Sequence, residues 1–184
     1  ANRQTFYPCC CKRICTECSA KCQQHDERCP LCRAPASTSN AEVVRRLQKH
    51  VDKGNAEAQI MLGNAYDEGT MGLKKSWKWA LLLYELSAAQ GHAEAQSKLG
   101  FCYQHGDGVK INFKTAAQWY RRAAEQGNPG AQCNLGAMFY TGKGAAQSYD
   151  EAIKWYRLAA AQGQADALGN LGVCHENGQG VPQD

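Results

Sequence analysis

Residues 95–127 read AQSKLGFCYQHGDGVKINFKTAAQWYRRAAEQG, and the spacing within this stretch decides the fold. Its first part places Ala95, Leu99, Cys102 and Tyr103 along one side of a helix of 3.6 residues per turn. Its second part carries Ala116, Trp119, Tyr120, Ala123 and Ala124 in one stripe, large rings alternating with alanines. An alanine three or four positions after an aromatic leaves room for a neighbouring helix, so ring and gap interlock. Gly106 and Gly108 supply the tight connection between the two helices. Gly127 fits the left-handed residue that ends the second.

The pattern recurs along the chain. Leu62-Gly63, Leu99-Gly100, Leu135-Gly136 and Leu171-Gly172 follow one another at steps of 37, 36 and 36. Gly91, Gly127 and Gly163 keep a step of 36, as do Tyr84, Tyr120 and Tyr156, and Ala80, Ala116 and Ala152. Gly72, Gly108, Gly144 and Gly180 are again 36 apart, so the extra residue of the first interval lies between Gly69 and Gly72. Many independent positions in one register define an internal repeat. The units span about 55–91, 92–127, 128–163 and a partial 164–184, giving three full helix pairs and the first helix of a fourth. Glycine inside a helix costs about 0.5–1 kcal/mol relative to alanine. Its return at Gly63, Gly100, Gly136 and Gly172 therefore predicts close helix–helix contact there. The sequence begins without Met and stops in mid-repeat, and we expect it to be a fragment of a longer protein.

These residues resemble the Sel-1-like repeat, a relative of the tetratricopeptide repeat, over residues 55–184. The first unit departs by its extra loop residue and by Leu83 where Trp119 and Trp155 stand. The third has Ala145 where the second has Val109. The resemblance implies an all-α fold, a right-handed α-solenoid of helix-pair repeats, with a protein partner on its concave face. A solenoid offers a long surface without an enclosed pocket for chemistry. The aromatics read as core, and His92, His105 and His175 as solvent or helix-end residues. No Ser/His/Asp or paired-carboxylate arrangement stands out, so no catalytic residue is identified.

Composition narrows the classes. The 184 residues are 43% hydrophobic and 21% charged, which excludes a disordered tail. No apolar run approaches the roughly 20 residues of a membrane span. Residues 1–54 carry 10 Lys/Arg against 5 Asp/Glu, while residues 55–184 carry 11 against 12. Arg45, Arg46 and Lys49 lie in a helical pattern as a solvated face, and no aromatic or Gly-rich reading surface accompanies the basic charge. No nucleic-acid partner is expected. Of 11 cysteines, eight fall between Cys9 and Cys32. Cys102 and Cys174 share a repeat position with Ala65 and Met138, an interchange that marks a small buried apolar slot. Secreted bacterial members of the repeat family pair cysteines within each unit. The single ones here point to a reducing compartment, cytoplasmic or nuclear.

The amino-terminal cysteines carry the other chemistry. Cys15/Cys18 and Cys29/Cys32 are two Cys-x2-Cys pairs, a spacing that lets two thiolates on one tight turn meet a tetrahedral ion. A disulfide scaffold is the competing reading. So short a segment cannot bury enough surface to fold unaided, and zinc is the expected stabiliser. The arrangement resembles the later three quarters of a RING finger, with Cys10-x-Lys12-x2-Cys15-x2-Cys18 on its middle and Cys29-Pro30-Leu31-Cys32 on its last pair. The first pair of that motif is absent, and Lys12 stands where a histidine ligand is usual. By resemblance, Cys10, Cys29 and Cys32 with Cys9 or Cys11 complete one zinc site. Cys15 and Cys18 hold half of a second, for which Cys22 and His25 are weaker candidates. Ile14, Pro30, Leu31 and Arg33 would form a docking surface for a ubiquitin-conjugating enzyme.

Residues 34–40 are small and polar, a linker with helix-start chemistry at Ser39 or Asn40. Val43, Val44, Leu47 and Val51 then recur at helical spacing up to Gly54, a helix that resembles a repeat's second helix and would cap the first unit. The expected organisation is a partial RING-like finger (1–33), a linker with a capping helix (34–54) and the repeats (55–184). Finger, linker and repeats together resemble a family expanded in unicellular algae, particularly diatoms. The function expected is a zinc-binding adaptor, a RING-type ubiquitin ligase in its full-length form. The alternative is a non-enzymatic interaction scaffold with a structural zinc knuckle.

Overall fold

The structure, a computed structural model, describes residues 4–7, 12–15 and 39–179. Two short strands, β1 (Gln4–Tyr7) and β2 (Lys12–Cys15), pair antiparallel with Gln4 opposite Cys15 and Tyr7 opposite Lys12. Sequence periodicity gave no warning of them. Eight helices follow among the described residues: α1 (Asn40–Val51), α2 (Ala56–Glu68), α3 (Trp77–Ala89), α4 (Ala93–His105), α5 (Phe113–Glu125), α6 (Pro129–Thr141), α7 (Tyr149–Ala161) and α8 (Ala165–Glu176). The chain divides into two compact units, Ala1–Gln90 and Gly91–Asp184.

Helices α2 to α7 are each 13 residues long, and a side-chain cap starts four of them, α2, α5, α6 and α7. The Asn55 and Asn128 Oδ1 atoms accept from the N–H groups of Ala58 and Ala131, each at 2.8 Å, and Asn112 and Ser148 cap α5 and α7 the same way. Such caps satisfy backbone donors that have no partner inside the helix. At the other end, Gly91, Gly127 and Gly163 adopt φ of 86°, 87° and 83°, the left-handed conformation expected of them.

In the first unit α2 packs between α1 and α3. In the second, α4 to α8 pack each against the next. A backbone bond ties each helix pair at its connection: the N–H of Ser76, Asn112 and Ser148 donates to the carbonyl of Tyr66, Tyr103 and Phe139, at 2.8, 2.8 and 3.0 Å. The second unit's core runs through Ala116, Tyr120, Ala131, Leu135, Phe139, Ala152, Trp155, Tyr156 and Ala167, all buried. The rings alternate with alanines as the stripe in the sequence required.

Candidate functional site

The close contact anticipated at the helical glycines has a specific occupant. A Cβ placed on Gly63 would lie 2.7 Å from the Tyr84 ring. On Gly100 it would lie 2.6 Å from Tyr120, and on Gly136 2.7 Å from Tyr156. Each second helix thus seats its tyrosine ring on the bare backbone of the first. All three tyrosines are buried. The polar ends differ: Tyr84 Oη donates to Asn64 Oδ1 at 2.8 Å and lies 3.3 Å from Asp67 Oδ2. In the next unit Phe101 and Gln104 stand at those positions, and the Tyr120 hydroxyl has no hydrogen-bond partner among the described residues. Burial pushes the Tyr120 and Tyr156 hydroxyls well above the usual phenol range, so both stay neutral.

A second repeated device escaped the sequence reading. The Nε2 groups of Gln90, Gln126 and Gln162 donate to the Oε1 atoms of Gln59, Gln96 and Gln132, each at 2.8 Å. The same amides reach carbonyls of Leu86, Arg122 and Leu158 in their own helices, closing the helix end. Gln59, Gln96 and Gln132 are buried and would be costly without partners. The signal was present, since both sets of glutamines keep the register of the repeat. In α8 the corresponding residue is Leu168, 58% exposed.

Helix α1 does for the first unit what a repeat's second helix does. Leu47 is fully buried against Ala58, with Val43, Val51, Met61 and Met71 around it. Ser39 Oγ accepts from the Glu42 N–H at 3.3 Å, which makes Ser39, and not Asn40, the cap of the helix. The Glu42 carboxylate is shared by Arg46 Nε at 2.6 Å and Arg45 Nε at 2.8 Å. Those guanidiniums, Arg46 foremost, hold it below the usual carboxylate range. The extra residue of the first connection also has a use: Met71 sits at φ 54° and turns into the cluster under α1. For a side-chain-bearing residue that conformation costs about 1–2 kcal/mol.

The outward face of α3 differs from its sisters. Trp79, Leu82 and Leu86 are 52%, 44% and 44% exposed, one row on the helix. At the matching positions α5 has Thr115, Gln118 and Arg122, and α7 has Glu151, Lys154 and Leu158. Repeat packing therefore does not require the row, and its size marks a surface apart from ordinary scattered apolar residues. Tyr66 stacks on Trp79 with centroids 6.3 Å apart.

Cys102, Cys133 and Cys174 are buried and stand outside any disulfide. The slot shared by Ala65, Cys102, Met138 and Cys174 is buried in every unit. Burial raises the Cys133 and Cys174 pKa, and Asn170 Nδ2 contacts Cys133 Sγ at 3.7 Å. His105 and His175 lie at exposed helix ends, and His92 at the start of α4. Of the expected zinc and docking residues, Cys9, Cys10, Cys11, Cys18, Cys22, His25, Cys29, Pro30, Leu31, Cys32 and Arg33 lie outside the described residues. The backbones of Ile14 and Cys15 belong to β2. Among the described residues no group of three His, Cys, Asp or Glu is placed to hold a metal, and no helix is long and apolar enough to cross a membrane.

Solved structures share this architecture. The protective antigen c5321 of uropathogenic Escherichia coli strains, described as displaying an SLR fold, is 28% identical with a TM-score of 0.76, over 82% of this chain and 32% of that one. A Sel1 repeat protein from Oxalobacter formigenes is 33% identical with a TM-score of 0.75, over 80% of this chain and 59% of its own. Cysteine-rich protein B of Helicobacter pylori, 22% identical with a TM-score of 0.55 over 69% of this chain and 96% of that one, is alike in fold. The chain thus spans about a third and three fifths of the first two. No curated protein matches it. The Sel1 repeat family model matches residues 56–92, 93–128, 129–164 and 165–184, which is most of the sequence, and the chain belongs to the Sel1 repeat family, with the all-α solenoid fold of helix-pair repeats.

Proposed function

We propose that this protein is an adaptor: its Sel1 repeats bind a protein partner, and its amino-terminal cysteines hold zinc in a RING-like finger that recruits a ubiquitin-conjugating enzyme. The observation that carries the interaction role is the run of helix pairs within each unit, which offers side chains along a surface and, among the described residues, places no reactive group in an enclosed site. The apolar row on α3, whose first two positions are polar in α5 and α7, is consistent with it.

The finger rests on sequence. Two Cys-x2-Cys pairs support zinc, and Cys29-Pro30-Leu31-Cys32-Arg33 supports the likeness to the last ligand pair of a RING and the basic residue after it. Zinc would supply folding free energy to the finger, and Cys9, Cys10, Cys11, Cys15, Cys18, Cys29 and Cys32 are the residues to hold it. Such a finger needs no catalytic residue of its own. It holds the recruited enzyme's thioester in a reactive pose, with Ile14, Pro30, Leu31 and Arg33 as the contact surface. The likeness to finger-and-repeat proteins of unicellular algae belongs to this same proposal. So does a reducing compartment, cytoplasm or nucleus, which buried cysteines outside any disulfide support.

An autoubiquitination assay on the full-length chain with a panel of conjugating enzymes tests the ligase step. Polyubiquitin product is expected with at least one enzyme. It should fall at least tenfold in Arg33→Ala and vanish in Cys29→Ala. No product with any enzyme leaves a scaffold with a structural knuckle, and the ligase reading fails.

A further inference from the structure

The outer face of α3 carries charge beside its apolar row. Lys78 and Glu85 are the two charged residues of the helix, and both are exposed. Seven residues apart, they stand within about 20° of each other around the helix and about 10 Å apart along it. They therefore share one flank of the row formed by Trp79, Leu82 and Leu86. Among the described residues neither side chain makes an ion pair or a hydrogen bond. Lys75, the cation before them, is engaged over the Trp77 ring at 4.0 Å.

Their order leaves Lys78 in want of an anion. It lies in the first turn, where the helix dipole favours negative charge, and α3 has no acidic residue there.

The face is also arranged symmetrically about Leu82. Lys78 lies four residues before it and Glu85 three after, while Trp79 lies three before and Leu86 four after. A second such helix, turned end for end over Leu82, brings its Glu85 beside Lys78 and its Leu86 beside Trp79. A two-fold interface requires a surface that complements itself in this way. The sister helices lack the combination. In α5, Lys114 and Arg121 stand where Lys78 and Glu85 do, and the same arrangement would oppose like charges. In α7, Asp150 and Arg157 are opposite in sign, but Glu151 and Lys154 replace the first two residues of the row. The Trp79 ring is already stacked by Tyr66, so it loses little freedom on being covered.

We propose that α3 pairs antiparallel with α3 of a second copy of this chain. Trp79, Leu82 and Leu86 form the seam, and each Lys78 meets Glu85 of the other copy along one flank. Flanking ion pairs of this kind set the orientation of paired helices. The inference goes beyond the adaptor reading and does not depend on the finger. One face of a 13-residue helix is small for a permanent interface, so the dimer forms with rising concentration and weakens with salt.

Sedimentation equilibrium of the full 184-residue chain over a concentration series, with reductant present, tests it. A monomer–dimer equilibrium is expected. Leu82→Lys should weaken the dimer by about tenfold or more, and so should Lys78→Glu and Glu85→Lys singly, since each sets like charges side by side. The double variant Lys78→Glu/Glu85→Lys should return the dimer to within about threefold of the parent. Thermal melts check that each variant folds, and the exposed charge positions keep the test valid should Leu82→Lys fail to. A chain that stays monomeric throughout would overturn the inference, free the row for a different protein and leave the adaptor reading standing. A dimer indifferent to Leu82→Lys and to the charge reversals forms on another surface and would overturn it as well. Single charge reversals that weaken the dimer without rescue in the double variant would overturn the antiparallel pairing.

Discussion

Replacing Tyr120 with alanine is expected to lower the unfolding free energy by about 3–5 kcal/mol, the range for truncating a buried aromatic in a packed core. The ring is fully buried and rests on the backbone of Gly100, where even a single added carbon would stand 2.6 Å away. Alanines 116, 117, 123 and 124 surround it on its own helix, and none can extend to refill the space. Phenylalanine at the same position separates ring from hydroxyl. The Tyr120 Oη is buried without a hydrogen-bond partner among the described residues, so Tyr120→Phe should stay within about 1 kcal/mol of the parent chain. Urea denaturation followed by the helical circular dichroism signal measures both. A loss below about 1 kcal/mol for Tyr120→Ala would mean that the ring does not hold α4 and α5 together.

Alanine for glycine should act with opposite signs at two equivalent positions. Alanine for Gly100 puts a methyl group into the Tyr120 ring, and overpacking of this kind costs about 1–3 kcal/mol. Alanine for Gly172, the same repeat position in α8, meets nothing within 4 Å. There only the backbone entropy changes, and the chain should gain about 0.5–1 kcal/mol. Thermal melts of the two variants give the comparison. Two losses, or two gains, would show that the glycines are not distinguished by what sits against them.

That contrast also marks what the sequence could and could not convey. A run of glycines at one register inside good helices is a local cost repeated, so close contact was legible. That the contact is a tyrosine ring was only half legible, because Tyr84, Tyr120 and Tyr156 keep the register but nothing local says which face they turn. The glutamine pairs were missed for a related reason. Gln59 and Gln90 are 31 residues apart, and a polar residue reads as surface until its partner is known to lie opposite. Met71 could be located as an insertion but not as a packing residue, since its conformation depends on the tertiary position of α1. At the amino terminus the proposed zinc-ligand pattern is read from spacing, and the antiparallel pair of β1 and β2 is not. Strands of four residues are too short to impress a period on the sequence.

The proposed adaptor rests most heavily on one element: that this Sel1 repeat chain carries a finger that depends on zinc. Metal content of the purified 184-residue chain, taken together with its protein concentration, tests this most directly. One zinc ion per chain is the result predicted for a site of Cys10, Cys29 and Cys32 with Cys9 or Cys11. Two ions would extend it to Cys15 and Cys18 completed by Cys22 and His25. Chain that is folded, reduced and free of zinc would contradict the account.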